Sequence, residues 1–138
     1  MAEQINALLV HGRDETGRAL EQVLKSLGIE VVQARSCREA SLLFTCQNVI
    51  DVVFAGTDLP DGSWADVLDV AQQSKIYLPV IVVSRTVDIE LYLEVIERGA
   101  FDFITPPFLT SGVAPIIRSA IYKELLSAKQ VLGAPPAA

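Results

Sequence analysis

Apolar positions alternate along the chain between short unbroken runs and helical stripes. Ile5 to Val10 is a compact run that reads as a strand, and Leu20, Val23, Leu24 and Leu27 follow at i, i+3, i+4, i+7 on one helix face. Asp14 or Thr16 caps that helix, and Gly28 ends it in the left-handed position. Ile29 to Ala34 reads as a second strand, after which Ser36 and Glu39 form a capping box for a helix carrying Ala40, Leu43 and Phe44. Asp51 to Ala55 is a third strand, apolar on both faces, and the turn Pro60, Asp61, Gly62 leads into a helix from Ser63 or Trp64 to Ser74. Pro79 opens the most continuous apolar run, Val80 to Val83, which Ser84 closes. The next helix, Val87 to Arg98, is expected to turn Leu93 and Ile96 inward and to end at Gly99. Its remaining apolar residues, Leu91, Tyr92 and Val95, then need a second surface. Phe101 to Thr105 is a fifth strand stopped by Pro106 and Pro107, and a last helix, Thr110 to Val131, packs through Ile116, Ile117, Ala120 and Ile121.

Strands alternating with helices in this way predict an α/β fold, a doubly wound parallel sheet with helices on both faces. Residues 1–131 are expected to form a single domain, and residues 132–138 a flexible tail or the start of a linker. The chain of 138 residues is 51% hydrophobic and 20% charged, which excludes a disordered reading. Its net charge of -6 and its 11 scattered basic residues argue against nucleic-acid and membrane binding, so protein partners are expected. The apolar run Ala7 to Val10 is too short for a signal peptide or a membrane span, which implies a cytoplasmic protein. Cys37 and Cys46 fall on opposite sides of one predicted helix, roughly 13 Å apart, and are expected to stay reduced.

The segment Glu97-Arg-Gly-Ala-Phe-Asp-Phe-Ile-Thr-Pro-Pro-Phe108 resembles the Gly-Ala, aromatic, Asp, aromatic, Lys-Pro-Phe signature of response regulator receiver domains. Leu59-Pro-Asp-Gly62 is similar to the loop after that family's phosphorylated aspartate, and the resemblance extends from Ile5 to Ala128. It implies a flavodoxin-like (βα)5 fold with strand order 2-1-3-4-5, and Mg2+-assisted phosphoryl transfer from a partner kinase to an aspartate. Such a site needs a nucleophilic carboxylate, two more for the metal, a cation and a hydroxyl. Carried over position by position, the acid pair falls on His11 and Gly12, the nucleophile on Gly56 and the lysine on Pro106. Asp58 stands where the family lends a backbone carbonyl to the metal. Ser84 matches the family's hydroxyl residue and Phe103 its switch aromatic. The resemblance therefore implies a degenerate receiver with Mg2+ binding lost, no catalytic residue and no cofactor.

An interaction surface is expected instead at Leu91, Tyr92 and Val95 with Tyr122, Leu125 and Leu126, on the side where the family dimerises or meets effectors. Output would then depend on protein partners, or on a homodimer through helices four and five. A different reading makes the emptied crevice of His11, Gly12, Gly56, Ser84 and Pro106 a sensor for a small anion or metabolite. A third retains phosphotransfer through His11 or Asp58. Asp58 and Asp61 together could hold a cation, although Asp61 also fits a turn and a helix cap. His11, the only histidine, reads most simply as a polar strand-end residue hydrogen-bonded to the loop after Gly56. A hydrolase triad of Ser84, His11 and an aspartate is disfavoured, because strands one and four lie roughly 9 to 10 Å apart. The glycines around His11 lack the spacing of a phosphate loop.

Overall fold

The structure, a computed structural model, describes residues 4–12, 14–45, 49–73 and 78–131, without the side chains of Thr45 and of residues 122–131. Five strands, β1 (Asn6–Val10), β2 (Glu30–Ala34), β3 (Val52–Gly56), β4 (Val80–Val83) and β5 (Asp102–Ile104), form one parallel sheet in the order β2-β1-β3-β4-β5. They alternate with α1 (Glu15–Ser26), α2 (Cys37–Thr45), α3 (Trp64–Gln72), α4 (Ile89–Glu97) and α5 (Thr110–Val131). This is the expected flavodoxin-like topology.

The unbroken apolar strands follow from burial on both faces of the sheet. Leu8, Val10, Val53, Ala55, Val80 and Val82 point to the side covered by α2, α3 and α4, where Trp64, Val67, Leu68 and Val95 meet them. Ala7, Leu9, Val52, Phe54, Ile81 and Val83 point the other way, to Leu20 and Leu24 of α1 and to Val113, Ile117 and Ala120 of α5. Each fully buried side chain of this kind contributes about 1.5–3 kcal/mol of transfer free energy.

The helices begin where the sequence supplies caps. Asp14 Oδ1 accepts from Gly17 N at 2.9 Å at the start of α1. Ser63 and Asp66 form a capping box for α3, and Asp88 Oδ1 accepts from Leu91 N at 3.1 Å at the start of α4. Gly28 and Gly99 carry positive φ, 79° and 100°, and turn the chain out of α1 and α4 toward β2 and β5. Among the described residues no helix is long and apolar enough to cross a membrane. The expected tail and Cys46 lie outside the described residues, whereas Cys37 is a free thiol.

The inward face of α4 differs from expectation. Val95 is fully buried and Leu91 packs against the core, while Leu93 is 57% exposed and Ile96 lines the surface with it. Val95 is therefore a core residue and not part of an interaction surface. The physical reason lies in the composition of the helix, six of whose nine residues, Ile89, Leu91, Tyr92, Leu93, Val95 and Ile96, are large and apolar. Two stripes satisfy helical spacing, and the chain ends decide between them. Ala100 N donates to Val95 O at 3.2 Å and Phe101 N to Val80 O at 2.7 Å, which seats this turn of α4 over β4.

Candidate functional site

In register, Val10 lies beside Ala55, so the residues at the C-terminal ends of β1 and β3 meet at one edge of the sheet. A crevice of about 90 Å³ opens there. It is lined by His11 and Gly12, by Asp14, Thr16 and Gly17 at the start of α1, by Gly56, Thr57 and Asp58, and by Arg85 after β4. The sequence-derived positions His11, Gly12 and Gly56 are thus brought together, with Asp58 at the same opening. Thr16, Gly17, Thr57 and Arg85 were not anticipated, because their place depends on how α1 and the loop after β4 approach the strand ends.

His11 is held by its backbone N–H, which donates to Ala34 O at 3.0 Å. Its side chain is only 13% exposed, and both ring nitrogens are buried without a hydrogen-bond partner. The expected bond to the loop after Gly56 is not formed. The nearest carboxylate oxygen, Asp14 Oδ1, stands 4.0 Å from Nδ1, beyond hydrogen-bond reach. The ring lies against Gly17 of α1, where a Cβ would fall on the imidazole atoms. Gly17 is what admits the ring, so a glycine inside the first helical turn was the available sequence signal.

Gly12 and Gly56 are glycines for no conformational reason, since neither has positive φ. A Cβ at Gly12 would meet only Asp58 O, at 3.7 Å, and one at Gly56 would meet Val10 O at 3.4 Å, both ordinary contacts. A β-carbon fits at both positions. Ser84 and Pro106 do not line the crevice. The Ser84 hydroxyl donates to Thr86 O at 2.9 Å and accepts from Thr86 N at 3.3 Å, closing a small turn on itself. Pro106 is joined to Pro107 by a cis peptide.

The donors present do not fit Mg2+, which takes several oxygen ligands in near-octahedral array. Asp14 is engaged in capping, and Asp58, 88% exposed, faces Arg85 Nη2 at 3.9 Å. Among the described residues no three His, Cys, Asp or Glu side chains converge as a metal site requires. Asp58 and Asp61 do not act together either. Asp61 turns to α2, accepting from Cys37 N at 2.7 Å and Arg38 N at 3.0 Å, so it caps the neighbouring helix while Ser63 caps α3. Those two N–H groups hold its carboxyl below the ordinary value of 3.8. Burial, then the charge of Asp61, pushes the Cys37 thiol from 9.0 up to about 11, leaving it inert.

The second candidate region is the outer face of α4. Ile89, Tyr92, Leu93 and Ile96 form an exposed apolar stripe, continued by Val87. Tyr92 meets Phe103 of β5 edge to face, centroids 5.9 Å apart at 80°. The two rings, with Val87, Asp88, Ile89 and Thr105, line a groove of about 180 Å³. Leu91 is half-buried beneath the stripe. Tyr122, Leu125 and Leu126 fall among the α5 residues whose side chains are outside the described ones.

Residues 7–117 match the family described as response regulator receiver domain. The chain is 26% identical over 115 residues to the response regulator protein PilR of Pseudomonas aeruginosa, covering 83% of this chain and 26% of PilR. It is 28% identical over 131 residues to the virulence transcriptional regulatory protein PhoP of Salmonella typhimurium, covering 95% of this chain and 55% of PhoP. It therefore spans between a quarter and about half the length of these relatives. The fold is shared with a response regulator receiver domain protein from Clostridium thermocellum, at a TM-score of 0.74 and 24% identity over 88% of this chain and 98% of that one.

Proposed function

The chain belongs to the response regulator receiver family of two-component signalling, and from that premise we propose that it is an atypical member which signals without aspartyl phosphorylation. The carrying observation is the crevice itself. Its strand-end positions His11, Gly12 and Gly56 offer no carboxylate, although a β-carbon fits at both glycines. With Pro106 in place of a lysine, the site lacks a nucleophile, the metal ligands and the cation for the phosphoryl oxygens. Ser84, whose hydroxyl is closed into a turn with Thr86, has no charge to follow. Output then rests on binding a protein partner, and the α4 stripe is the surface that supports this reading.

Intact-mass measurement after incubation with acetyl phosphate and Mg2+ tests the proposal. The control is a variant carrying His11→Asp, Gly12→Asp, Gly56→Asp and Pro106→Lys. The wild type is expected to stay unmodified; a stable phosphoryl adduct, mapped to His11 or Asp58, would sink the reading.

One observation favours a second reading, a small-ligand sensor. A neutral imidazole carries one donor and one acceptor nitrogen, and both here are buried beside a crevice without partners. A small polar molecule presenting an acceptor and a donor answers that demand, with Thr16 and Thr57 in reach of the same space. Titration with inorganic phosphate, whose protonated forms both donate and accept, followed through the His11 ring resonances, checks it. Unmoved resonances at millimolar phosphate would remove it from consideration.

A further inference from the structure

Among the described residues, each carboxylate and guanidinium lining the crevice at the ends of β1 and β3 already has its counterpart. Asp14 Oδ1 accepts from Gly17 N at 2.9 Å, so this carboxylate fills the seat that the N-terminus of α1 would offer an anion. Asp58 and Arg85 offset each other at the mouth, 3.9 Å apart and largely exposed. Further in stand the His11 imidazole, the Thr16 and Thr57 hydroxyls and the apolar side chains of Leu9 and Val83, with no group of fixed charge. An ion entering that interior gives up its water and meets no free counter-charge. Hydrogen bonds, in contrast, are wanted there, because both ring nitrogens of His11 are buried without a partner. We infer that the crevice takes an uncharged amide-type group, the carboxamide, ureido or lactam edge of a small molecule. This rests on the small-ligand reading above and names the ligand's chemical class.

An amide carries an acceptor and its donors on adjacent atoms of one rigid plane, which matches an imidazole and hydroxyls that each donate and accept. No hydrogen bond holds the His11 ring against Gly17, so turning a nitrogen toward the crevice breaks none. The space of about 90 Å³ equals about three waters at about 30 Å³ each, room for a head group of about four heavy atoms. Leu9 and Val83 suit the flat face of such a group, whereas a polyol would press hydroxyls on them.

Acetamide and acetate share size and shape and differ in charge, so the pair isolates the inference. Each is titrated near pH 7 into the isotopically labelled full chain while the His11 ring and the Gly12 and Gly56 amide resonances are followed, with methylammonium and glycerol as further probes. Acetamide is expected to shift these signals and to saturate at about 10–100 mM, the range for a fragment of about four heavy atoms. Acetate and methylammonium should bind at least about ten-fold more weakly, and phosphate should behave as acetate does. His11→Phe removes both ring nitrogens and Thr57→Val one hydroxyl, and each should weaken acetamide by about three-fold or more; if one variant fails to fold, the other still decides. Acetate or glycerol matching acetamide, or unchanged acetamide affinity in the folded variants, would overturn the inference. Acetate binding would leave a ligand-sensing crevice of the wrong class, whereas silence from every probe would remove the small-ligand reading as well, so the two failures are distinguishable.

Discussion

The crevice at the ends of β1 and β3 and the face of α4 sit a few residues apart along β4 and its loop, yet they are built oppositely. The crevice is narrow and enclosed by backbone, by a threonine pair and by an imidazole with no partner, and its charged groups are at the rim. The α4 face is open and apolar, with Glu90, Glu94 and Glu97 along one flank and Arg98 paired to Glu94 at its end. Packing needs just Leu91 and Val95 from that helix, so Ile89, Tyr92, Leu93 and Ile96 are more apolar surface than the fold consumes. Both regions depart from what stability alone requires, the face by surplus apolar surface and the crevice by a buried imidazole without a partner.

The comparison breaks most visibly at Val95. Val95→Ala should cost about 2 kcal/mol in chemical denaturation, whereas Leu93→Ala should stay within about 0.5 kcal/mol. Equal costs would mean that α4 is rotated from the orientation described. In the crevice, Gly17→Ala should destabilise by about 1–2 kcal/mol despite the better helix propensity of Ala, because the new methyl meets the His11 ring. Adding His11→Ala should recover most of that loss. Failure of the rescue would show that the ring is not the obstacle.

A smaller effect tests the aromatic edge of the α4 face. A double-mutant cycle on Tyr92→Leu and Phe103→Leu should give a coupling of about 0.5–1.5 kcal/mol, and zero coupling would dissolve the edge-to-face pair. The least perturbing change lies outside both regions, at the α2 corner. Because the Asp61 carboxyl is held below 3.8 in the folded chain, its contribution is present above that value and fades as pH falls through the lower folded one. The melting difference between wild type and Asp61→Asn should accordingly be steady at neutral pH and vanish in strong acid. At pH near 8 the Cys37 thiol, pushed up to about 11, should alkylate roughly 100-fold more slowly than an unperturbed thiol by peptide mapping. Asp61→Asn should speed it.

Much of the architecture was legible because each buried strand is an unbroken apolar run and the first two helices open on the caps Asp14 and Ser36. The convergence of His11, Gly12 and Gly56 was legible too, since parallel strands end at a common edge. The rotation of α4 was not, because a helix apolar on most sides carries no periodic contrast to orient it. Nor was the packing of His11 on Gly17, which depends on where α1 starts in space and not on the spacing of either residue. Ser84 was placed in the crevice by position alone. Its hydroxyl finds both hydrogen-bond partners two residues away in Thr86, a local satisfaction that alignment to a motif does not reveal.

The room beside Gly12 and Gly56 carries a genetic consequence. Any glycine codon becomes an acidic one by a single base change, to Asp or to Glu, and a histidine codon reaches Asp as easily. Nothing in the backbone at these positions stands in the way of a β-carbon, since neither glycine needs positive φ and neither prospective Cβ meets more than ordinary contact. The acidic cluster is thus a near neighbour of this chain in mutational space, while the lysine at 106 lies farther off, a proline codon being at least two changes from one for lysine. Acidic residues at these strand ends are therefore reachable one codon at a time, with the sheet left as it is.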